Sequence, residues 1–157
     1  VGPQGERWLP MDDFFAGPGV TTLRRGEILT ELHLPTLPPH GGGSYQRLTT
    51  RQAMDCCMVG VAALVTLKSP GGVCLQCRLA LGAVAPTPMR ARKAEAMLQG
   101  EKITESLIGR AAEVAASECQ PISDVRGSAD YRRAMVRVLT RRAITEALNR
   151  AAGGPMS

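Results

Sequence analysis

The sequence predicts an α+β fold, in which an antiparallel sheet of three or four strands packs against three helices. Two observations carry this prediction. Strand-like segments fill the first half of the 157-residue chain and helix-like segments the second half, the segregated order typical of α+β domains. In addition, 44% of the residues are hydrophobic and only 3% are aromatic, so the core is expected to be aliphatic. We expect an N-terminal segment over 1–22, the domain over 23–152 and a tail over 153–157.

The predicted strands combine alternating or continuous apolar residues with turn residues at their ends. The segment 56–67 is apolar on both faces, as a central buried strand would be, and SPGG (69–72) predicts a hairpin to the next strand. A flexible connector, TLPPHGGG, is expected over 36–43. The four predicted strands are EILTELHL (27–34), SYQRL (44–48), CCMVGVAALVTL (56–67) and VCLQCRLALGAV (73–84).

Three helices are predicted from their capping residues. The first is expected to begin with Thr87 as the N-cap and Pro88 at the first helical position, and to end at Gly100. Thr104 is the expected N-cap of the second helix, and Ser128 is that of the third. We expect the third helix to be amphipathic. Its predicted apolar face consists of Tyr131, Met135, Val138 and Leu139, and its predicted basic stripe consists of Arg133, Arg137 and Arg141.

The third helix also accounts for the net charge of +5, because residues 126–150 contain seven arginines and two acids. A basic helix can contact nucleic acid or an acidic protein surface, whereas the simpler interpretation is a solvated helix face. Nucleic-acid binding is disfavoured because Tyr131 is the one aromatic residue of this helix and is assigned to its apolar face. The chain lacks an apolar run of the roughly 20 residues that a transmembrane helix needs.

The cysteines and histidines give weak signals for chemistry. Five cysteines without a secretory signal favour free thiols in the cytoplasm. Cys74 and Cys77 have the spacing of a zinc or redox pair, but three residues apart on one strand they are expected on opposite faces, so we predict structural thiols and no metal site. His33 and His40 lack a neighbouring nucleophile or base, and we assign no catalytic residue.

A polar loop, TTRQAMD (49–55), is the strongest candidate site that composition alone offers. Arg47 and Arg51 flank it, and loops held by a rigid sheet often carry function. The alternative is a pair of solvated arginines.

Four segments, in order along almost the whole chain, resemble the C-terminal domain of the flavoprotein medium subunit of molybdenum hydroxylases. This family includes xanthine dehydrogenase and aerobic carbon monoxide dehydrogenase. The segments are DDFFAGPGVTTLRRGEILTELHLP (12–35), YQRLTTRQAMD (45–55), LALGAVAPTPMRARKAEAMLQG (79–100) and PISDVRGSADYRRAMVRVLTRRA (121–143).

The resemblance implies a part in an oxidoreductase of several subunits. FAD would be held mostly by a preceding domain, whose glycine-rich loops are absent from this sequence. An iron–sulfur small subunit with 2Fe-2S clusters and a molybdopterin large subunit would be the partners in a hetero-oligomer. Electrons would pass through the flavin to an acceptor such as NAD or a quinone. The chain alone is expected to be inactive. The alternative function is a non-catalytic interaction module without flavin.

The resemblance also implies flavin contacts. Leu29 matches an apolar residue that packs near the isoalloxazine ring. Arg47 matches a position that is often lysine, where a cation would stabilise a reduced, anionic flavin. Residues 48–55 match the loop beside the flavin, and Arg51 and Asp55 are its charged members.

Overall fold

The structure, a computed structural model, describes residues 1–51 and 55–154. It divides into two compact units, Val1–Thr36 and Leu37–Ser157. Residues 52–54 of the predicted flavin loop and residues 155–157 of the predicted tail lie outside the described residues. The domain boundary placed at residue 23 stays a prediction.

The first unit is small and lacks a buried core. It contains a 3-10 helix, Met11–Asp13, and a short antiparallel pair, β1 (Phe15–Gly17) and β2 (Val20–Thr21). None of its residues is buried. The Glu27 carboxylate links separate segments of this unit. It accepts two 2.7 Å hydrogen bonds from the guanidinium of Arg7 and one from the backbone N–H of Arg24.

The strand predicted over 27–34 does not form. Ile28 exchanges backbone hydrogen bonds with Val1, but the described chain provides no neighbouring strand along the rest of this segment. Its alternating apolar side chains are therefore exposed, from 50% at Leu29 to 83% at Leu34. Alternation in a sequence predicts a strand only where a partner edge supplies its hydrogen bonds.

The second unit contains the predicted α+β fold. Four antiparallel strands lie in the order β3-β4-β5-β6, and three helices accompany them. The strands are β3 (Gly41–Leu48), β4 (Val59–Leu67), β5 (Cys74–Gly82) and β6 (Met89–Arg90). The helices are α1 (Arg92–Leu98), α2 (Glu105–Glu118) and α3 (Ala129–Ala151). The core between sheet and helices is aliphatic, as predicted, with Val59, Val61, Leu79 and Leu81 nearly inaccessible.

Helix α3 lies directly on β3, and this contact corrects the predicted connector. A Cβ atom at Gly42 would lie 2.1 Å from the carbonyl oxygen of Ala147 and 2.4 Å from the backbone nitrogen of Ala151. The glycines predicted to form a flexible linker are instead strand residues, because only a residue without a side chain lets the helix come this close.

Helix boundaries follow the predicted caps in two of three cases. The hydroxyls of Thr104 and Ser128 accept hydrogen bonds from the backbone N–H groups of Leu107 and Tyr131 at the starts of α2 and α3. The prediction for α1 is wrong at its start, since Thr87 and Pro88 precede β6 and the helix begins at Arg92.

The start of α1 is capped from another helix. The carboxylate of Glu118, the last residue of α2, accepts hydrogen bonds from the backbone N–H groups of Lys93 and Ala94. A capping carboxylate remote in sequence satisfies the free N–H groups just as a local one would. At the other end Gly100, with φ +85°, follows the helix as predicted.

The faces of β5 and α3 differ from the prediction. A register shift between Thr66 and Leu67 turns both Cys74 and Cys77 toward the core, instead of to opposite faces. On α3, Tyr131 and Val138 are partly exposed. The buried face of α3 consists of Arg132, Val136, Leu139, Thr140, Ala143, Ile144, Ala147 and Ala151.

The predicted basic stripe of α3 is a set of ion pairs. Arg133 contacts Asp130 in the first turn, while Arg137 and Arg141 reach Glu113 and Glu105 on α2 at 2.6 and 2.7 Å. These side chains remain substantially exposed, so the pairs contribute little to stability. Within the described residues, the helices are too short or too polar to cross a membrane.

Candidate flavin-facing end of the sheet

Most of the predicted site residues lie at one end of the sheet, where β3 ends, β4 begins and β5 ends. We call this the loop end, and it comprises residues 47–51, 55–60 and 82–84. In the register of the sheet, Arg47 lies opposite Gly60, and Gly60 lies opposite Gly82. The backbone N–H of Met58 donates to the carbonyl of Leu48, which closes the loop between β3 and β4 at its base.

Next to the loop end, the ring of Tyr45 on β3 lies against Gly60 on β4. The side chains of Tyr45 and Arg47 project from the same face of β3 and are exposed. A Cβ atom at Gly60 would lie 2.9 Å from the hydroxyl oxygen of Tyr45, so the ring occupies the space that the glycine leaves. Although most of the ring is exposed, partial burial of the hydroxyl raises the pKa of Tyr45, and the nearby Cys57 thiol is the second cause. Arg47 thus lies beside a neutral phenol at neutral pH.

The structure brings Arg51 and Asp55 together in the loop between β3 and β4. The Asp55 carboxylate accepts a 2.5 Å hydrogen bond from the hydroxyl of Thr50 and a 2.7 Å bond from the backbone N–H of Arg51, and the Arg51 guanidinium lies 4.0 Å away. These hydrogen bonds, with that of Thr50 first, lower the pKa of Asp55 to about 2. The Asp55 side chain is 6% exposed and that of Arg51 is 73% exposed. Asp55 therefore holds the loop, while Arg51 projects from it.

Leu29 lies in the first unit, along with an apolar groove of about 330 Å³. The leucine is half exposed and lines this groove with Trp8, Phe14, Phe15 and Leu32. The ring of His33, another lining residue, lies 5.7 Å from that of Trp8. An apolar concave surface of this kind suits a planar aromatic ligand.

Sequence reasoning missed a second segment at the loop end. A Cβ atom at Gly127 would lie 4.0 Å from the sulfur of Met58, and the guanidinium of Arg132 donates to the carbonyl of Ala83. Ala83 itself has φ +61°, a conformation unusual for a residue with a side chain. The segment before α3 therefore borders the loop end. One sequence signal could have indicated that Arg132 is buried. It lies on the same face of α3 as the buried residues Val136, Ala143 and Ala147.

The cysteines do not form a metal site within the part of the chain that the structure describes. Among the described residues, the structure contains no cluster of three or more His, Cys, Asp or Glu side chains positioned to hold a metal ion. Cys74, Cys77 and Cys119 are buried free thiols. Burial raises the pKa of all three, to about 12 for Cys77, so they remain protonated at neutral pH.

Comparison with known proteins identifies the fold. The sequence profile of the CO dehydrogenase flavoprotein C-terminal domain matches residues 44–147, two thirds of the chain and all within the second unit. The chain belongs to this family. The matched range covers nearly all of the four-stranded sheet, including the loop end, and most of the three helices.

Curated relatives extend the similarity to the first unit. The medium chain of carbon monoxide dehydrogenase from Hydrogenophaga pseudoflava is 34% identical over 151 residues, 96% of this chain and 52% of the relative. A putative xanthine dehydrogenase FAD-binding subunit from Escherichia coli strain K12 is 34% identical over 155 residues, 98% of this chain and 52% of the relative. The chain thus spans about half the length of these relatives.

Solved structures agree with these relatives. Carbon monoxide dehydrogenase from Hydrogenophaga pseudoflava superposes with a TM-score of 0.89 at 37% identity, over 95% of this chain and 51% of that chain. Quinoline 2-oxidoreductase from Pseudomonas putida 86 superposes with a TM-score of 0.79 at 32% identity, over 89% of this chain and 47% of that chain.

Proposed function

We propose that this chain completes the flavin site of a molybdenum-dependent oxidoreductase. Its membership of the flavoprotein C-terminal domain family carries the proposal, because the matched relatives include a subunit named for FAD binding and medium chains of multisubunit dehydrogenases. The FAD, held mainly by a preceding domain, would pass electrons to an acceptor such as NAD or a quinone. Iron–sulfur and molybdopterin subunits would be the partners.

The residues at the loop end suit contact with a flavin. Arg47 and Arg51 are exposed cations, and a cation near the ring stabilises a reduced, anionic flavin. We propose Leu29, Arg47 and Arg51 as contacts with the cofactor, Leu29 through its apolar side chain. Asp55 is the fourth proposed site residue. Because its carboxylate already accepts hydrogen bonds from Thr50 and Arg51, we propose that Asp55 fixes the conformation of the loop beside the cofactor.

The free buried thiols suit a reducing compartment, and we propose that the assembled enzyme works in the cytoplasm. The position of the chain in the assembly would be that of the medium subunit. The molybdopterin subunit would oxidise the substrate.

Flavin content tests the proposal directly. The full-length subunit that contains this chain is produced together with the iron–sulfur and molybdopterin subunits encoded beside it, and the purified protein is assayed for FAD by its visible spectrum. We expect about one FAD per subunit. A complex that never retains FAD would exclude the proposed function and favour the non-catalytic interaction module.

The Arg47→Gln variant tests the cation at the flavin. Loss of the positive charge should make the midpoint potential of the bound flavin more negative, because the reduced anion loses a favourable Coulomb interaction. Arg78→Gln is the matched control, since Arg78 is an exposed arginine on β5 of the same sheet. Spectroelectrochemical titration measures both variants. Equal potentials for the Arg47 variant and the wild type would remove Arg47 from the proposed contacts.

A further inference from the structure

The five cysteines of the chain fall into two classes by exposure. Cys74, Cys77 and Cys119 are buried, and burial raises the pKa of each thiol, so these three are protonated at neutral pH and shielded from reagents in water. Cys56 is exposed and Cys57 is partly buried, and the two are adjacent in the chain at the loop end. Oxidants in solution are therefore expected to reach this pair and not the other three cysteines.

The two thiols of the pair have different surroundings. A Cβ atom at Gly60 would lie 3.4 Å from the Cys57 sulfur and 2.9 Å from the Tyr45 hydroxyl oxygen, so the thiol of Cys57 packs beside the sheet near the phenol. The side chain of Cys56 is open to water. Cys56 is therefore the thiol that a dissolved oxidant meets first, and Cys57 is the neighbouring thiol held in place behind it.

The backbone is held on both sides of the pair but not between its members. On one side the Asp55 carboxylate is hydrogen-bonded within the loop, and on the other the backbone N–H of Met58 donates to the end of β3. Within the part of the chain that the structure describes, the carbonyl of Cys56 and the N–H of Cys57 have no backbone hydrogen-bond partner. The peptide unit that joins the two cysteines can therefore rotate without breaking a hydrogen bond of the sheet.

We propose that Cys56 and Cys57 are a peroxide-sensitive dithiol that closes reversibly to a vicinal disulfide. The Cys56 sulfur attacks hydrogen peroxide: an S–O bond forms, the O–O bond breaks, and the leaving hydroxide takes up the thiol proton as water. The Cys57 sulfur then attacks the resulting sulfenic acid: the S–S bond forms, the S–O bond breaks, and a second water leaves. Two thiols and one peroxide thus give one disulfide and two waters. This chemistry goes beyond the proposed function, since peroxide is its only co-reactant.

The adjacency of the two cysteines makes their disulfide easy to reduce. Consecutive Cα atoms are about 3.8 Å apart, less than the roughly 4.4–6.8 Å of ordinary disulfides, so a bridge between neighbours is strained. Strained or exposed disulfides are the ones that thiols reduce readily, and in a reducing compartment such bridges are transient. Ring closure would also turn the backbone that follows Asp55, so oxidation would change the loop that carries Arg51.

Mass spectrometry of the wild-type protein tests the proposal. The full-length subunit is treated with hydrogen peroxide and unfolded, its remaining thiols are alkylated, and the peptide that contains Cys56 and Cys57 is measured with and without prior exposure to glutathione. We expect this peptide to lose about 2 Da, the two thiol hydrogens, and to escape alkylation until glutathione restores both thiols. The thiols of Cys74, Cys77 and Cys119 should be oxidised at least about tenfold more slowly.

Two variants separate the roles of the thiols. Cys57→Ser should leave Cys56 as a sulfenic acid that dimedone traps, whereas Cys56→Ser should slow oxidation of Cys57 by about tenfold or more. Cys119→Ser is the matched control, because this buried thiol takes no part and the disulfide should form as in the wild type.

Three outcomes would overturn the proposal. They are two free thiols after peroxide treatment, oxidation of Cys56 to a sulfinic acid without a disulfide, and a disulfide that joins two copies of the subunit in place of the vicinal one. The FAD content of the same sample is read separately from its visible spectrum. Because the disulfide should form with or without bound FAD, failure of this proposal and failure of the proposed function are distinguishable.

Discussion

At the scale of single residues, buried charged side chains link one element to another. Arg132 of α3 is buried and contacts Asp124 in the segment before the helix, and Glu95 is buried where α1 packs on β5. The carboxylate of Glu95 accepts hydrogen bonds from the backbone N–H of Leu79 and from two guanidinium nitrogens of Arg90, at 2.5 to 2.8 Å. Removing one member of such a group leaves the others buried without partners.

Glu95→Gln should therefore lower the free energy of unfolding by about 2 kcal/mol, because the neutral amide cannot match the charge-assisted hydrogen bonds with Arg90 and Leu79. Glu113→Gln is the control, since Glu113 pairs with Arg137 at the surface and is 65% exposed. The control should change stability by less than about 0.5 kcal/mol. Urea denaturation measures both. Equal losses would mean that Glu95 is not specifically supported by its buried partners.

The loop that carries Arg51 should lose stability at low pH, when the Asp55 carboxylate becomes protonated. Its carboxyl has a folded-state pKa of about 2, below the ordinary 3.8, so the charged form is favoured by folding. The stabilisation of the loop is complete above about pH 4 and is lost as the pH falls through about 2. Nuclear magnetic resonance titration of the Asp55 carboxyl carbon should give this midpoint.

Removal of the Thr50 hydroxyl in Thr50→Val should raise the Asp55 midpoint, since this hydroxyl is the largest cause of the low pKa. Thr49→Val is the control, because the hydroxyl of Thr49 donates to the carbonyl of Arg51 and not to Asp55. An unchanged midpoint in Thr50→Val would show that Thr50 does not bind the carboxylate in solution.

At the scale of elements, the packing of α3 on β3 depends on backbone contact. The side chains of Ser44 and Gln46 on β3 donate 2.6 Å hydrogen bonds to Glu146, which also pairs with Arg150 one turn further along α3. Gly42, two residues before Ser44, supplies the space for the helix backbone. Polar hydrogen bonds and close approach thus act together on one strand.

Gly42→Ala should destabilise the second unit by about 3 kcal/mol, because the added methyl group would overlap the backbone of Ala147 and Ala151, which cannot rotate away. Gly82→Ala is the matched control on β5. A Cβ atom there meets no atom within 4 Å, and its φ is not in the left-handed region. Thermal unfolding followed by circular dichroism measures both variants. Similar melting temperatures would contradict the close helix approach.

At the scale of the whole molecule, the two units differ in how they are stabilised. The second unit buries an aliphatic core, while the first has two short strands, a 3-10 helix and no buried residue. Local opening is easiest where few apolar side chains are buried.

Hydrogen exchange of this chain should therefore be fast throughout Val1–Thr36 and slow in β4, one of the two strands with neighbours on both sides. Exchange monitored by mass spectrometry on peptides from 1–36 and 59–67 measures the difference. Comparable protection in the two regions would mean that contacts beyond those within the first unit hold it.

The limits of sequence-based prediction are visible in particular elements. Capping hydroxyls located α2 and α3 because the hydrogen bonds of a cap join residues three apart in sequence. The same reasoning failed for α1, whose N–H groups bind Glu118 from another helix. Among the site residues, Arg51 and Asp55 were placed in one loop by the sequence, but their contact with each other was not predicted. The approach of Gly127 to Met58 joins distant segments and was not.

The sequence by itself determined the α+β class, the aliphatic core, the hairpin of β4 and β5 and the family resemblance, because these depend on composition and on short-range patterns. Only the tertiary structure decided the rest. It left 27–34 without a strand partner, turned both Cys74 and Cys77 inward through a bulge, and buried Arg132 against Asp124. Each of these depends on which distant backbone or charge supplies the missing partner, and such a partner has no fixed spacing along the chain.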